Sequence, residues 1–476
     1  MIDDLKPYPA YKDSGVPWLG EVPEHWSVKR LKSTVRNVIE QSAEWRSGEL
    51  YLALENVESW TGRLRPTDSD IAFDSQVKRF RAGDVLFGKL RPYLAKVTRP
   101  ATAGVCVGEF LVLRPDGADG SAPYLEQLLR SKPVIDAVNS STFGAKMPRA
   151  DWQFVGCMPI TLPPLAEQSA IVRFLDHADR RIRRYIRANQ KLLKLLEEYK
   201  QALIHRAVTG QIDVRTGKPY PAYKPSGVEW LGEVPAHWEV LPLKRWIRIN
   251  EEVLPESTSP GFEFSYLDIG TVGTGTLTAK PQHLRFGTAP TRARRIVRHG
   301  DTIVSTVRTY LKAVYFVERA PDALICSTGF AVLTPQAGTE PKFVSYLCQS
   351  AAFTDQVTAD SVGIVYPAIT ETKLGAIHVA VPPFPEQSAI VRFLDGHTTD
   401  IDRLTSNARR EIELLREYRT RLIADVVTGK LDVREAAARL PEEADEPEPL
   451  DETEVEQETE AAVNGEAADT AEEAKA

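Results

Sequence analysis

Two segments of this chain hold side chains suited to gripping a polyanion. Phe80–Val97 reads FRAGDVLFGKLRPYLAKV, and Val297–Val314 reads VRHGDTIVSTVRTYLKAV. They share Gly83/Gly300, Asp84/Asp301, Arg91/Arg308, Tyr93/Tyr310 and Leu94/Leu311. The guanidinium fork can bond a guanine edge or clamp a phosphate. A tyrosine two residues on can touch the sugar-phosphate chain or stack on a flipped base. The other use of the same residues is structural: an arginine paired with Asp84 or Asp301, and a packed tyrosine. Further cations surround both segments: Lys78, Arg79, Arg81, Lys89, Lys96, Lys146 and Arg149, then Arg292, Arg294, Arg295, Arg298 and Lys312. Thr291–Arg295 is the densest basic run, and on a nucleic-acid reader such a run faces phosphates. The loops Ser140–Gly144 and Asp360–Gly363 suit either close approach to a ligand or plain turns.

Catalytic patterns are weak. Pro321-Asp322 with Glu340-Pro-Lys342 formally fits a nuclease arrangement in which Asp322 and Glu340 would bind Mg²⁺, with Lys342 beside them. Those residue types are common. Gly270-Thr-Val-Gly-Thr-Gly275 lacks dinucleotide-loop or phosphate-loop spacing. Cys106, Cys157, Cys326 and Cys348 form no C-x-x-C pair, so no metal site is expected, and all four read as core or near-core thiols of a reduced cytoplasm. No apolar run is long enough to span a membrane, and no secretory signal is visible. The net charge of −7 hides an asymmetry. Residues 441–476 carry 15 Asp/Glu and one Lys, a net −14, which leaves +7 on residues 1–440. A mildly basic body with a separate, solvated acidic tail is expected.

The chain is a duplication. YPAYKDSGVPWLGEVPEHW from Tyr8 and YPAYKPSGVEWLGEVPAHW from Tyr220 agree at 16 of 19 positions. PPLAEQSAIVRFLD from Pro163 and PPFPEQSAIVRFLD from Pro382 agree at 12 of 14. Between these near-constant edges the middles have diverged, and the acids of the nuclease pattern have no counterpart in the first half. One scaffold carrying two different faces suits a binder of two related ligands.

The middles read as mixed α/β structure. Asp84–Gly88, Val105–Leu113, Asp301–Ser305 and Phe330–Leu333 look like strands; Pro123–Arg130 and Lys342–Ser350 look like short helices. Glu167 to Val208 has neither Gly nor Pro. A 4-3 spacing runs through Ile171, Leu175, Ala178, Ile182, Tyr185, Asn189, Leu192, Leu196, Tyr199 and Leu203. Its second copy is Ile390, Leu394, His397, Ile401, Leu404, Ala408, Ile412, Leu415, Tyr418 and Leu422. Thr209-Gly210 and Thr428-Gly429 stop the two helices. The expected fold is α+β: two mixed domains and two long helices, each about 60 Å, paired as an antiparallel coiled coil with approximate two-fold symmetry. Asn189 is a candidate for fixing register. Glu167-Gln168 and Glu386-Gln387 would complement the helix dipoles, and Trp18, Trp26, Trp230 and Trp238 would anchor the arms. The expected layout is an arm at 1–26, a reader at 27–162, a helix at 163–210, a repeated arm at 211–238, a second reader at 239–381, a second helix at 382–435 and the tail at 436–476.

Three motifs each occur twice, in order: Y-P-x-Y-K-x-S-G-V-x-W-L-G-E-V-P-x-H-W, G-D-x-x-x-x-x-x-R-x-Y-L and P-P-x-x-E-Q-x-x-I-V-x-F-L-D. Together they resemble the specificity subunits of type I restriction-modification enzymes, over about residues 8–435. The resemblance implies a DNA-recognition subunit without catalysis of its own. Its two target recognition domains would each read half of a split, asymmetric site. Its helices would space the halves and hold two methyltransferase subunits, with restriction/translocase subunits joining them. S-adenosylmethionine, ATP and Mg²⁺ would then reside in the partners, with no cofactor in this chain. A coiled-coil scaffold without DNA is the other non-catalytic reading.

Overall fold

The structure is a computed structural model. It describes residues 5–42, 49–65, 76–117, 119–144, 147–321, 323–363 and 366–441. Lys146, Asp322 and nearly all of the acidic segment lie outside the described residues. The chain divides into two units, one of residues 1–181 with 418–476 and the other of residues 182–417.

Unit 1 holds two four-stranded sheets. One is antiparallel, in the order Val35–Val38, Phe110–Pro115, Val85–Gly88, Val97–Thr98. The other runs Gln41–Ser42, Val77–Phe80, Gly104–Cys106, Leu50–Leu52, with only the last pair parallel. The expected single strand Val105–Leu113 is therefore two strands in different sheets. Gly108 and Glu109 turn the chain between them. Helices Ala122–Arg130 and Lys132–Ser140 cover the first sheet and bury Tyr124, Leu128, Leu129 and Val134 against Val85 and Phe87.

Unit 2 repeats the plan. Its antiparallel sheet runs Ile247–Ile249, Phe330–Pro335, Thr302–Ser305, Val314–Phe316. In its second sheet, Glu263–Leu267, Leu324–Ser327 and Ala293–Val297 repeat the three-strand core of unit 1. The fourth strand, Gln282–Arg285, adds to the opposite edge.

The long helices span Leu165–Val208 and Phe384–Val427. Within unit 1, Ile171, Phe174 and Leu175 of the first helix share a core with Leu422, Ile423 and Val426 of the second. Within unit 2, Ile182 and Ile186 pack on Ile412, and Lys200 pairs with Asp402 at 2.7 Å. In each unit the pairing is antiparallel. The buried stripe does not keep the strict 4-3 spacing. It recurs every eleven residues, at Ile171, Ile182, Leu193 and Ile204 and at Ile390, Ile401, Ile412 and Ile423. A helix of 3.6 residues per turn drifts about 20° per heptad away from a seven-residue repeat, and an eleven-residue repeat follows it more closely. Ile171, Leu175, Ile182, Ile390, Leu394, Ile401 and Leu422 are buried as expected. Leu196 and Leu415 are half-buried. Tyr185, Leu192, Tyr199, Leu404 and Tyr418 instead face solvent, because the drift has carried them off the seam. Asn189 Nδ2 donates to the Tyr185 carbonyl of its own helix at 3.3 Å.

The helix starts carry more than dipole complementarity. Glu167 is buried: Tyr8 Oη donates to its Oε1 at 2.5 Å, Trp26 Nε1 donates to the same oxygen at 2.9 Å, and His25 Nε2 lies 2.8 Å from Oε2. Glu386 repeats the knot. Trp238 Nε1 donates at 2.9 Å and Tyr220 Oη at 3.3 Å, while His237 lies 2.9 Å and Arg215 3.2 Å away. Burial and then the neighbouring carboxylate push the Tyr8 hydroxyl far above its ordinary range. At the helix ends, Gly210 and Gly429 have φ of +76° and +82°. A Cβ there would stand 2.4 Å from Pro235 and 2.3 Å from Pro23, so only glycine fits. Trp26 and Trp238 are fully buried, as anchors must be.

Cys106, Cys326 and Cys348 are buried, and burial raises the Cys106 and Cys326 thiols to about 12. Cys157 departs from the expectation. It is exposed at the end of helix Trp152–Cys157, with Lys32 Nζ at 3.2 Å.

The stripe gives a direct test by denaturant unfolding of the isolated chain. Ile412→Ala should cost about 2–5 kcal/mol, the range for truncating a buried aliphatic. Leu192→Ala should stay within roughly 0.5 kcal/mol, the range for surface changes.

Candidate nucleic-acid interface

Arg91 and Arg308 follow the equivalent strands Val85–Gly88 and Thr302–Ser305 by a few residues. Both adopt the left-handed backbone conformation, with φ of 50° and 51°. Ala95 and Lys312 repeat it at 49° and 48°. For residues with a Cβ that conformation is strained, and strain of this kind clusters at binding and catalytic sites. Here it brackets one turn of 3-10 helix in each unit, Pro92–Leu94 and Thr309–Leu311. Tyr93 and Tyr310 lie in those turns and are exposed.

The aspartates considered as structural partners of these arginines are engaged elsewhere. Arg114 takes Asp84 in a fork of 2.8 and 2.7 Å. Asp301 accepts from the Arg298 backbone N–H at 2.7 Å and from Thr334 Oγ1 at 2.8 Å. The Asp301 carboxyl rises above its usual range because it is buried. Arg91 is left half-buried beside the Pro148 carbonyl, to which its backbone N–H donates at 2.8 Å. Arg308 lies over the Tyr366 ring at 5.1 Å, an exposed cation–π contact.

The remaining cations fall into two groups. Several already have partners inside the fold. Lys78 Nζ donates to the Phe110 carbonyl at 2.7 Å, and burial lowers its pKa. Arg79 pairs with Glu49 at 2.7 Å, and Lys96 Nζ donates to the Leu54 carbonyl at 2.8 Å. Arg149 pairs with Glu109 at 3.1 Å and Lys312 with Asp355 at 2.7 Å. Arg298 forks onto Glu252 at 2.8 and 2.5 Å. Arg294 covers the Phe286 ring at 4.6 Å. Arg295 is half-buried beside Cys326, and one of its terminal nitrogens has no hydrogen-bond partner among the described residues. The basic run Thr291–Arg295 thus belongs to a strand edge, and its members do different work. The other group is open. Arg81 and Arg292 are exposed and Lys89 half-exposed, without an ion pair among the described residues. Lys146 lies outside the described residues.

The nuclease arrangement does not assemble around Glu340 and Lys342. Glu340 begins helix Pro341–Gln349, its backbone N–H donates to Gln387 at 2.8 Å, and its carboxylate accepts from Ser388 at 3.2 Å. Lys342 is held by Asp395 at 3.0 Å. Both residues therefore tie the domain to the second long helix. Among the described residues, no group of three or more His, Cys, Asp or Glu is placed to hold a metal. No described helix is long and apolar enough to cross a membrane.

Phe143 and Val362 lie in the loops Ser140–Gly144 and Asp360–Gly363 named from the sequence, and Met147 and Tyr366, which the sequence did not flag, follow them. These large apolar side chains stay exposed on the turns next to Arg91 and Arg308. Their signal in the sequence was their place beside Gly144 and Gly363, in an otherwise polar loop.

Comparison with known proteins agrees with this architecture. Residues 293–414 match the family model described as the type I restriction modification DNA specificity domain. The chain is similar to the putative type I restriction enzyme MjaX specificity subunit of Methanocaldococcus jannaschii. The two are 25% identical over 446 residues, 87% of this chain and 96% of that relative. In fold it is similar to a chain solved in work on complex assembly and conformational transition of the type I R-M system. The TM-score is 0.67 at 21% identity, over 86% of this chain and 99% of that one. It is also similar to the crystal structure of the HsdS subunit from Thermoanaerobacter tengcongensis, with TM-score 0.50 at 20% identity over 86% and 98% of the two chains.

The two groups of cations should separate in salt titrations of DNA binding. Arg81→Ala should weaken binding to all sequences and lower the log–log salt slope by about 1, as loss of one phosphate contact does. Arg298→Ala should change the slope less, since Glu252 already neutralises it.

Proposed function

We infer that this chain is a specificity subunit of a type I restriction-modification system, which binds a bipartite DNA site and reads one half with each unit. It is the non-catalytic, DNA-recognising member of its complex. The observation that carries the two-part reading is the repeated strained turn. Arg91-Pro-Tyr93 and Arg308-Thr-Tyr310 have the same backbone in both units, while the side chains around them differ. Matching positions suit contacts that any DNA offers, namely phosphate and sugar. Differing positions suit base edges, which carry the sequence. In this assignment residues 27–162 and 239–381 are the two target recognition domains. Lys78, Arg79, Arg81, Lys89, Lys146, Arg149, Arg292, Arg294, Arg295, Arg298 and Lys312 are the candidates for the electrostatic footprint. Arg81, Lys89 and Arg292 are the most available of these.

The long helices serve assembly in this reading. After the seam is buried, Tyr185, Leu192, Leu195 and Tyr199 remain exposed on one helix and Leu404, Leu414 and Tyr418 on the other. Apolar side chains left on the outside of a paired helix are what a further helix would cover. Two methyltransferase subunits are the proposed occupants, one on each of the duplicated surfaces. They would bring S-adenosylmethionine, and the restriction/translocase subunits would bring ATP and Mg²⁺. The whole assembly acts on DNA in the cytoplasm.

Mapping of N6-methyladenine in host DNA by long-read sequencing tests this function. Deleting the gene should abolish methylation at one split motif with two unlike halves and a fixed gap. Exchanging residues 27–160 for those of a relative should change one half and leave the other. A methylome that does not depend on the gene in a host expressing the methyltransferase would contradict the reading.

A further inference from the structure

Each unit carries a small hairpin with an apolar tip in solvent and an arginine at its root. In unit 1, Phe143 and Leu90 both form backbone bridges to Arg149, and the Arg91 N–H donates to the Pro148 carbonyl at 2.8 Å. In unit 2, Val362 and Val307 both bridge to Ala368. The turns depend on Gly144 and Gly363, whose φ values are +94° and +117°. A Cβ at Gly363 would meet the Tyr366 carbonyl oxygen at 3.0 Å. Glycine therefore fixes where each tip points.

The tips serve no core. Phe143 is 66% exposed, Met147 54%, Val362 69% and Tyr366 63%. Two large apolar side chains in solvent at the same place in both units form a repeated feature, unlike the single exposed apolar residues common on surfaces. The roots are kept between the copies, with Gly144/Gly363 and Pro148/Pro367 in register. The tips change from Phe and Met to Val and Tyr. A protein partner shared by both units would select matching tips. Polymers of one chemistry but different local sequence would select the same root and different tips. The cations at the root, Lys89 and Arg91 in unit 1 and Arg308 in unit 2, match a polyanion. Apolar side chains contribute to DNA reading by meeting thymine methyl groups in the major groove, or by entering a base step from the minor groove.

We propose that the tip side chains, Phe143 with Met147 and Val362 with Tyr366, enter the groove of duplex DNA and set the base preference of each half-site. Arg91 and Arg308 hold the adjoining backbone and position the tips. This assignment rests on the DNA-reading function inferred above.

The test uses the chain assembled with its methyltransferase partner and compares two double variants, Phe143→Ala with Met147→Ala and Val362→Ala with Tyr366→Ala. Duplexes carrying the wild-type motif are titrated by fluorescence anisotropy at several salt concentrations, and the methylated motif is mapped in cells. Each pair should lose about tenfold in affinity for the motif, the cost of a mismatched base pair or more. Each should relax only its own half of the motif, with non-specific affinity and salt slope unchanged. A second variant exchanges the tip without emptying it, Phe143→Val with Met147→Tyr, and should alter the first half alone. Unchanged motif and affinity in all three variants would overturn the assignment. So would loss of the methyltransferase from a variant whose unfolding is normal, since the tips would then be protein contacts. A wild-type complex without any sequence preference would overturn the function itself, and the hairpin assignment with it.

Discussion

The structure depends on a buried carboxylate at the start of each long helix. Glu167 gathers Tyr8, His25 and Trp26, and Glu386 gathers Tyr220, His237, Trp238 and Arg215. These donors come from arms that are far from the helix in sequence. A buried carboxylate is tolerated only when its oxygens are occupied, and a buried indole or phenol only when its donor is used. The three groups therefore stabilise one another or none of them. Each knot also receives the chain that leaves a long helix. Arg215 reaches Glu386 directly, and Arg434 lies over the Tyr8 ring at 5.1 Å. Arm, helix start and helix exit are thereby closed into one corner, repeated in both units. This explains why the edges of the two copies stayed nearly identical. A change in any member strands the others, while the strained turns and hairpin tips answer to no such mutual constraint.

The helix pair adds a second constraint, set by geometry. Within each unit, an eleven-residue stripe of Ile and Leu keeps the buried face of each helix in line without the winding that a heptad repeat would impose. Residues falling on a heptad but off the stripe, Leu192, Tyr199 and Tyr418 among them, are consequently left outside. Their apolar character is what the proposed assembly on these helices would use.

The duplication, the long helices and their ends were legible in the sequence, because each is encoded locally. Thr-Gly stops, Pro-Pro starts and strand patterns after Gly-Asp turns need no knowledge of the rest of the chain. The seam was legible at Ile171, Leu175, Ile182, Ile390, Leu394, Ile401, Ala408, Ile412 and Leu422, and misplaced at Tyr185, Leu192, Tyr199, Leu404 and Tyr418. Tyr185 and Ile186 are neighbours, and choosing between a 3.5 and a 3.6 period decides which is buried. The role of Glu167 was not legible, since its partners lie more than a hundred residues away. The site was legible in part. Arg91/Arg308 and Tyr93/Tyr310 stood out by repetition, but their left-handed backbone was not foreseeable, because arginine and alanine seldom adopt it. Which cations are free was also hidden: Arg298 and Lys312 look like Arg81 in sequence, and only the fold supplies Glu252 and Asp355. The split of Val105–Leu113 between two sheets has the same origin, since periodicity continues across Gly108-Glu109 although the chain turns there.

The central claim is that one scaffold, used twice, presents two readers to one DNA molecule. Hydrogen–deuterium exchange of the assembled complex, with and without a duplex carrying its motif, tests it most directly. The account predicts protection on DNA binding at residues 89–95 with 143–149 and at 306–312 with 361–368, in both units together, while the knots around Glu167 and Glu386 stay unchanged. Protection confined to one unit, or to the long helices with both turns unaffected, would contradict it.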